Sequence, residues 1–320
     1  MDTKYQATVA VVTYRPNREK LLATLRSILL QKNIRLQIVI ADDGSADPCF
    51  ESVETLFKMW GFSDYVLVAN PENRGTVYNL FSAVEKSEGA YIKAISPGDL
   101  LASETILQEW VLQIERSGAD VSFSDAVYYC MGQNGPEAVI SDAHPQDVNC
   151  YLRGNTELAR YQYVVLGDLI LGAALLTRRS ILHRYLLEIC GKAIYAEDHA
   201  YRIMIYDRIP VHYFAKDAVV YEIGTGISTS GSTLWQERLE RDAQACSQII
   251  MQRPCDSKDR AAADFRYLYT YKRRGLISKI IKFIHVPRLL LQRVKSVLPS
   301  RKTGTNLPLV FLEQVFAVEE

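Results

Sequence analysis

Cysteine is scarce and scattered in this chain: six residues, at 49, 130, 150, 190, 246 and 255, with no C-x-x-C pair among them. That spacing offers no zinc-ligand set and argues against a disulfide framework, so a reducing compartment is the simpler expectation. Long apolar runs are missing as well. The nearest, Val164 to Thr177, is shorter than the roughly 18 residues of a membrane span, and Asp168 interrupts it. The opening Met1-Asp2-Thr3-Lys4-Tyr5-Gln6 has no basic segment followed by an apolar core. No signal peptide is therefore expected, and the chain reads as cytoplasmic, at most peripheral on the inner face of the cell membrane. No G-x-G-x-x-G follows the first predicted strand and no G-x-x-x-x-G-K-[ST] occurs anywhere, which excludes a dinucleotide cradle and a P-loop.

What is present begins with composition. An apolar content of 48% beside 23% charged residues is the balance of a globular protein. The net charge of zero hides an asymmetry. Beyond Asp264, eleven lysines and arginines face three glutamates, an excess of eight bases; since the whole chain balances 37 against 37, the remainder carries an excess of eight acids. An acidic body carries a basic tail.

Along the body, apolar strands alternate with amphipathic helices. Ala7–Val12, Leu36–Ala41, Tyr65–Ala69 and Ala90–Ile95 are short apolar runs of the kind buried strands need. Between them Leu21, Leu25 and Ile28, then Val53, Leu56 and Phe57, then Val77, Leu80 and Val84 recur at helical spacing, and Asn17 is placed to cap the first helix. This rhythm predicts a parallel sheet with helices on both faces. Right-handed crossovers bring the carboxyl ends of such strands to one edge, where ligands bind. Each end here is polar: Thr13-Tyr14-Arg15, Asp42-Asp43, Asn73-Arg74-Gly75, and Ser96-Pro97-Gly98-Asp99. An aromatic to stack on a base, carboxylates to accept from ribose or base, and guanidinium groups to offset phosphate charge suit a nucleoside diphosphate. A carboxylate can also hold a hard divalent cation. Taken alone, Asp99 after Pro97-Gly98 is equally a turn residue or a cap.

The run Val12-Thr13-Tyr14-Arg15, the segment Ala41-Asp42-Asp43-Gly44-Ser45-Ala46-Asp47, Asn73-Arg74-Gly75 with Asn79, and Tyr91-Ile92 leading to Asp99 resemble family 2 glycosyltransferases of the GT-A fold, in the family's order, over roughly residues 7–101. The resemblance implies an α/β GT-A fold with a Rossmann-like, mostly parallel central sheet. It implies a nucleotide diphosphate sugar donor, UDP-linked, held by Thr13, Tyr14, Arg15, Asp42, Asp43, Asn73, Arg74, Gly75, Asn79, Ser96 and Asp99. It also implies a divalent cation, Mn²⁺ or Mg²⁺, on an Asp-x-Asp-type motif. The sequence departs at that motif: only Asp99 survives as the metal residue of Ser96-Pro97-Gly98-Asp99. Two functions stay open, an inverting transferase acting on a glycan or lipid-linked oligosaccharide, and a non-catalytic nucleotide-sugar-binding or scaffold protein.

In the second half, a helix capped by Ser103, strands at Ala119–Asp125 and Val127–Met131, and a hairpin to Ala138–Ile140 are expected; residues 141–161 read as a loop of lid length. Gly172–Thr177 reads as a strand followed by a helix from Ser180. Ala196-Glu197-Asp198-His199 is explained by acids favouring a helix N-terminus. The resemblance instead makes Asp198 the general base, with Glu197 secondary and His199 supporting the loop. Ser228 and Thr229, in the Gly/Ser/Thr stretch 224–232, are candidates to close over the diphosphate. The expected organisation is a GT-A domain at 1–235, divided into a nucleotide-sugar half (1–101) and an acceptor half (102–235), followed by a helical region at 236–320. Apolar stripes at Leu276–Ile284 and Leu290–Leu298 with basic flanks suit an anionic membrane surface or, equally, a basic helical cap packed on the body, rather than nucleic acid.

Overall fold

The computed structural model describes residues 3–133, 135–224, 233–254, 280 and 300–317. Its first half follows the expected rhythm: β1 (Tyr5–Thr13), α1 (Arg18–Leu29), β2 (Leu36–Asp42), α2 (Phe50–Met59), β3 (Tyr65–Ala69), α3 (Thr76–Glu85) and β4 (Gly89–Ile95). These strands pair in parallel in the order β3-β2-β1-β4. The order reverses between β1 and β4, and an open α/β sheet has its crevice at such a switch point. Successive β1 side chains point to opposite faces. Val9 and Val11 join a core with residues of α1 and α2, while Ala10 and Val12 join one with residues of α3. Asn17 caps α1 as expected, its side chain accepting from Lys20 N at 3.0 Å.

The second half adds β5 (Leu100–Leu101), α4 (Ile106–Ser117), β6 (Val121–Gly132), β7 (Gly135–Ala138), α5 (Asn149–Leu152), α6 (Thr156–Arg160), β8 (Leu175–Arg178), α7 (Arg179–Ile189), α8 (His199–Tyr206), β9 (Val211–Glu222), α9 (Thr233–Met251) and α10 (Leu309–Phe316). Among the described residues the strands form one nine-stranded sheet, continuing β4-β8-β6-β9-β5 with β7 beside β6. It is mixed: β8 runs antiparallel to both β4 and β6, while β9 runs parallel to β6.

Several local expectations are corrected. The strands expected at 119–125 and 127–131 are one strand, β6. Its register against β9 shifts on both sides of Asp125, and such an irregularity bends a strand without ending it. The helix start falls at Thr105 rather than Ser103, and Thr105 Oγ1 donates to Glu109 instead of capping the backbone. Residues 141–161 are not a free lid. They contain α5 and α6 and are pinned by bonds from Ala143 N to Arg301 O and from Thr303 N to Ser141 O. The strand expected at Gly172–Thr177 opens as a 3₁₀ turn at Gly172–Ala174. Both ends of the C-terminal region pack on the body: Cys246, Ile249 and Ile250 of α9 join the α3/α7 core, and Phe311, Leu312 and Val315 of α10 cover Leu100, Ala102 and Val220. Apart from Ile280, which is exposed, the stripes at 276–298 lie outside the described residues.

Candidate active site

The polar strand tips converge, but many of their side chains turn inward. Asp42 is 2% exposed and accepts from Thr13 Oγ1 (2.9 Å), Ser45 N (2.7 Å) and Ser45 Oγ (2.7 Å), tying the β1 and β2 tips together. Asp43 accepts from the backbone N–H groups of Arg74 (2.9 Å) and Gly75 (2.8 Å) ahead of α3. Burial raises its pKa, against the lowering effect of those two donors. Asn79 donates to Thr13 O (3.0 Å) and Ala41 O (2.9 Å) and accepts from Asn70 (2.9 Å). Asn79 and Asp42 therefore brace the crevice floor at the strand tips. The exposed members are Tyr14, Arg15, Asn73, Arg74 and Ser96. Arg74 lies flat on Tyr78, its guanidinium carbon 3.6 Å from the ring centroid, and Arg15 lies over Tyr14 at 5.1 Å. These are the groups free to meet a planar base or a phosphate.

The Glu197-Asp198 pair comes from far along the chain and is bonded to these same loops. Ile194 O accepts from Val77 N in the first turn of α3 (3.0 Å), and a Cβ on Gly75 would lie 2.4 Å from that oxygen, so only glycine fits there. Asp242 of α9, 3% exposed, accepts from Tyr195 N (2.6 Å) and Ala196 N (2.9 Å), fixing the backbone just before the pair. Asp198 sits at the head of α8 but makes no side-chain cap bond, so the helix-start explanation accounts for its place and not its carboxylate. Its Cβ lies 3.5 Å from the position a Cβ would take on Gly172. Burial first, and then the charge of Asp198, raise the pKa of Glu197.

Between the two regions stands Lys93, which reads in the sequence only as an interruption of an apolar strand. It is wholly buried and donates to Ala94 O and Ala173 O, both at 2.6 Å. Burial lowers its pKa to about 8, although the charge of Asp99 acts the other way. Burial pushes Asp99 up to about 7 against the N–H of Glu222 and the ammonium of Lys93. The Asp99 carboxylate, 8% exposed, accepts that Glu222 N–H at 3.1 Å.

Around Asp99, the residue expected to hold a divalent cation, the protein itself supplies few ligands. Ser96 and Gly98 supply no carboxylate, Asp99 turns inward, and no group of three or more His, Cys, Asp and Glu among the described residues could hold a metal ion. A hard cation at a nucleotide site takes one or two carboxylates beside phosphate oxygens and water, and of these the turn supplies Asp99 alone. Ser228 and Thr229 lie outside the described residues. Lys93, Lys20, Glu222 and Asp242 went unread because nothing local in the sequence marks them.

The sequence model described as Glycosyl transferase family 2 matches residues 8–185. No curated protein matches the chain. Solved structures of similar fold include S. aureus TarS 1-349 in complex with UDP-GlcNAc, at 14% identity over 89% of this chain and 80% of that one, TM-score 0.56. They also include mannosyltransferase PcManGT from Pyrobaculum calidifontis in complex with GDP-Man and Mn²⁺, at 13% identity over 98% of this chain and 86% of that one, TM-score 0.58. Against the longer S. aureus TarS structure the chain spans 43% of the other's length, at 14% identity over 82% of its own and TM-score 0.54. At these identities the likeness establishes the fold, an α/β GT-A fold with helices on a mostly parallel sheet.

Proposed function

Because the chain belongs to glycosyl transferase family 2, we propose that it moves a sugar from a nucleoside diphosphate donor to a hydroxyl of a glycan or lipid-linked acceptor, with inversion. The donor lies across the tips of β1, β2, β3 and β4, with Tyr14, Arg15 and Arg74 as its exposed partners. Asp198 takes the proton of the acceptor hydroxyl as that oxygen attacks the anomeric carbon from the face opposite the diphosphate. The observation that carries this reading is the bond between the acid loop and the donor loop: Val77 N to Ile194 O joins the start of α3 to the segment ending in Asp198. The fold neighbours support the donor class, since one is in complex with UDP-GlcNAc and another with GDP-Man. Proton NMR of the transferred sugar tests the stereochemistry: a product anomer opposite to the donor's is expected, and a retained anomer overturns the role given to Asp198.

A non-catalytic nucleotide-sugar-binding protein is the second reading, favoured by Ser96 and Gly98 standing where the resemblance expects acids. Donor turnover separates the two. For the basic tail we propose attachment to an anionic membrane surface through residues 276–298, worth about 1 kcal/mol per well-placed Lys or Arg. Because Arg301 pairs with Asp125 and Lys302 with Asp142, truncating the whole tail would also strip packed residues from the body. The informative variant neutralises Lys279, Lys282, Arg288, Arg293 and Lys295 to glutamine. It is expected to stop co-sedimenting with phosphatidylserine vesicles that retain the wild type, and equal retention would reject the tail as the anchor.

A further inference from the structure

The carboxylates around the Ser96–Asp99 turn already have partners inside the protein, and those partners leave a cation rather than an anion at the more accessible position. Gly98 has φ +104°, and a Cβ built on it would lie 2.3 Å from Oε2 of Glu222. The Glu222 carboxylate, delivered from the end of β9, thus fills the space a side chain at position 98 would take. Both its oxygens accept from Lys20 Nζ, at 2.6 and 2.8 Å. The Lys20 side chain is 31% exposed and that of Glu222 6%, so the ammonium is the more accessible member of the pair. The turn itself is braced: Gly98 N donates to Thr24 Oγ1 (3.0 Å), Thr24 Oγ1 donates to Asp99 O (2.9 Å), and Tyr129 O–H donates to Gly98 O (2.6 Å).

We infer that this transferase takes its nucleoside diphosphate donor without a divalent cation, and that Lys20, held on Glu222 in the first turn of α1, supplies positive charge to the diphosphate. The inference rests on the donor reading above. A divalent ion on a nucleotide takes one or two protein carboxylates beside the phosphate oxygens and water. Here Glu222 is paired to Lys20, Asp99 to a backbone N–H, Asp43 to two backbone N–H groups and Asp42 to Thr13 and Ser45. An ammonium on a flexible stem meets phosphate as a point charge and needs no fixed coordination geometry. Lys20 Nζ uses two contacts on Glu222, and an ammonium has three donors, so it can meet a phosphate oxygen without leaving Glu222 unpaired.

The test uses the full-length protein with two readouts. Titration of Mn²⁺ alone, followed by its electron paramagnetic resonance signal, is expected to show no ion taken up by the protein. Calorimetry with UDP and with GDP is expected to give the same Kd in EDTA and in Mn²⁺ for the nucleotide that binds. Lys20→Gln alone would bury Glu222 unpaired, so the double variant Lys20→Gln/Glu222→Gln removes the pair without leaving a charge. It is expected to bind about tenfold to a hundredfold more weakly, the range for a lost charge-assisted hydrogen bond, while Lys20→Arg stays near wild type. Stoichiometric Mn²⁺ uptake, binding seen only with Mn²⁺, or an unweakened double variant overturns the inference and leaves the donor reading standing. No binding of either nucleotide under either condition overturns both.

Discussion

Asp198→Asn is expected to cut transfer by about 10²–10⁴-fold in kcat, the usual contribution of a positioned general base, while donor affinity and fold stay unchanged. The amide keeps the volume of the carboxyl group and cannot accept the acceptor's proton. Among the described residues the Asp198 side chain has no helix-cap bond to lose. The backbone that positions it is held by Asp242 and by Val77, not by its own carboxylate. Glu197 is a poor substitute, since burial, the larger cause of its raised pKa, persists when the charge of Asp198 is removed. The loss should therefore appear in turnover and not in binding. Full activity in Asp198→Asn with a dead Glu197→Gln would exchange the two roles. Full activity in both would return the pair to the helix-start explanation.

Asp43→Ala is expected to weaken nucleoside diphosphate binding by about tenfold to a hundredfold, or about 1.4–2.8 kcal/mol, as two backbone N–H groups lose their acceptor. Those groups belong to Arg74 and Gly75, so the loop that carries the Arg74 guanidinium onto Tyr78 loses its anchor. Asp43→Asn keeps one acceptor and should lie between wild type and Asp43→Ala. Affinity for the acceptor should change less, because Asp43 has no bond to the 194–198 segment. Calorimetry with the free nucleotide reads the effect, and unchanged donor affinity would mean that the crevice lies elsewhere.

The first hundred residues were legible because local signals and tertiary structure agree there. Buried parallel strands read as apolar runs, and Asn17 sits where a cap is needed. What the pattern cannot say is which way a side chain at a strand tip turns. Thr13, Asp42 and Asn79 stand at the expected edge, and their polar atoms bond one another and the neighbouring backbone. Beyond Asp99 the determinants are long-range. The two-residue β5 is completed by β9, over 100 residues away in sequence, and the end of β6 is covered in part by α10. A lysine within an apolar run gives no hint that Ala173 O will accept from it, and a glutamate ending a late strand gives none that it fills the space beside Gly98. Glu197 and Asp198 were identifiable as a pair. The means of holding them, Asp242 on α9, was not.

The central claim is that these strand tips and the acid loop form one transferase site. Its most direct test is nucleoside diphosphate release from a panel of UDP-linked and GDP-linked sugars, with a mixed glycan acceptor, measured side by side for wild type and Asp198→Asn. At least one donor should be turned over by the wild type and spared by the variant. Release from no donor, or equal release by both proteins, would contradict the account.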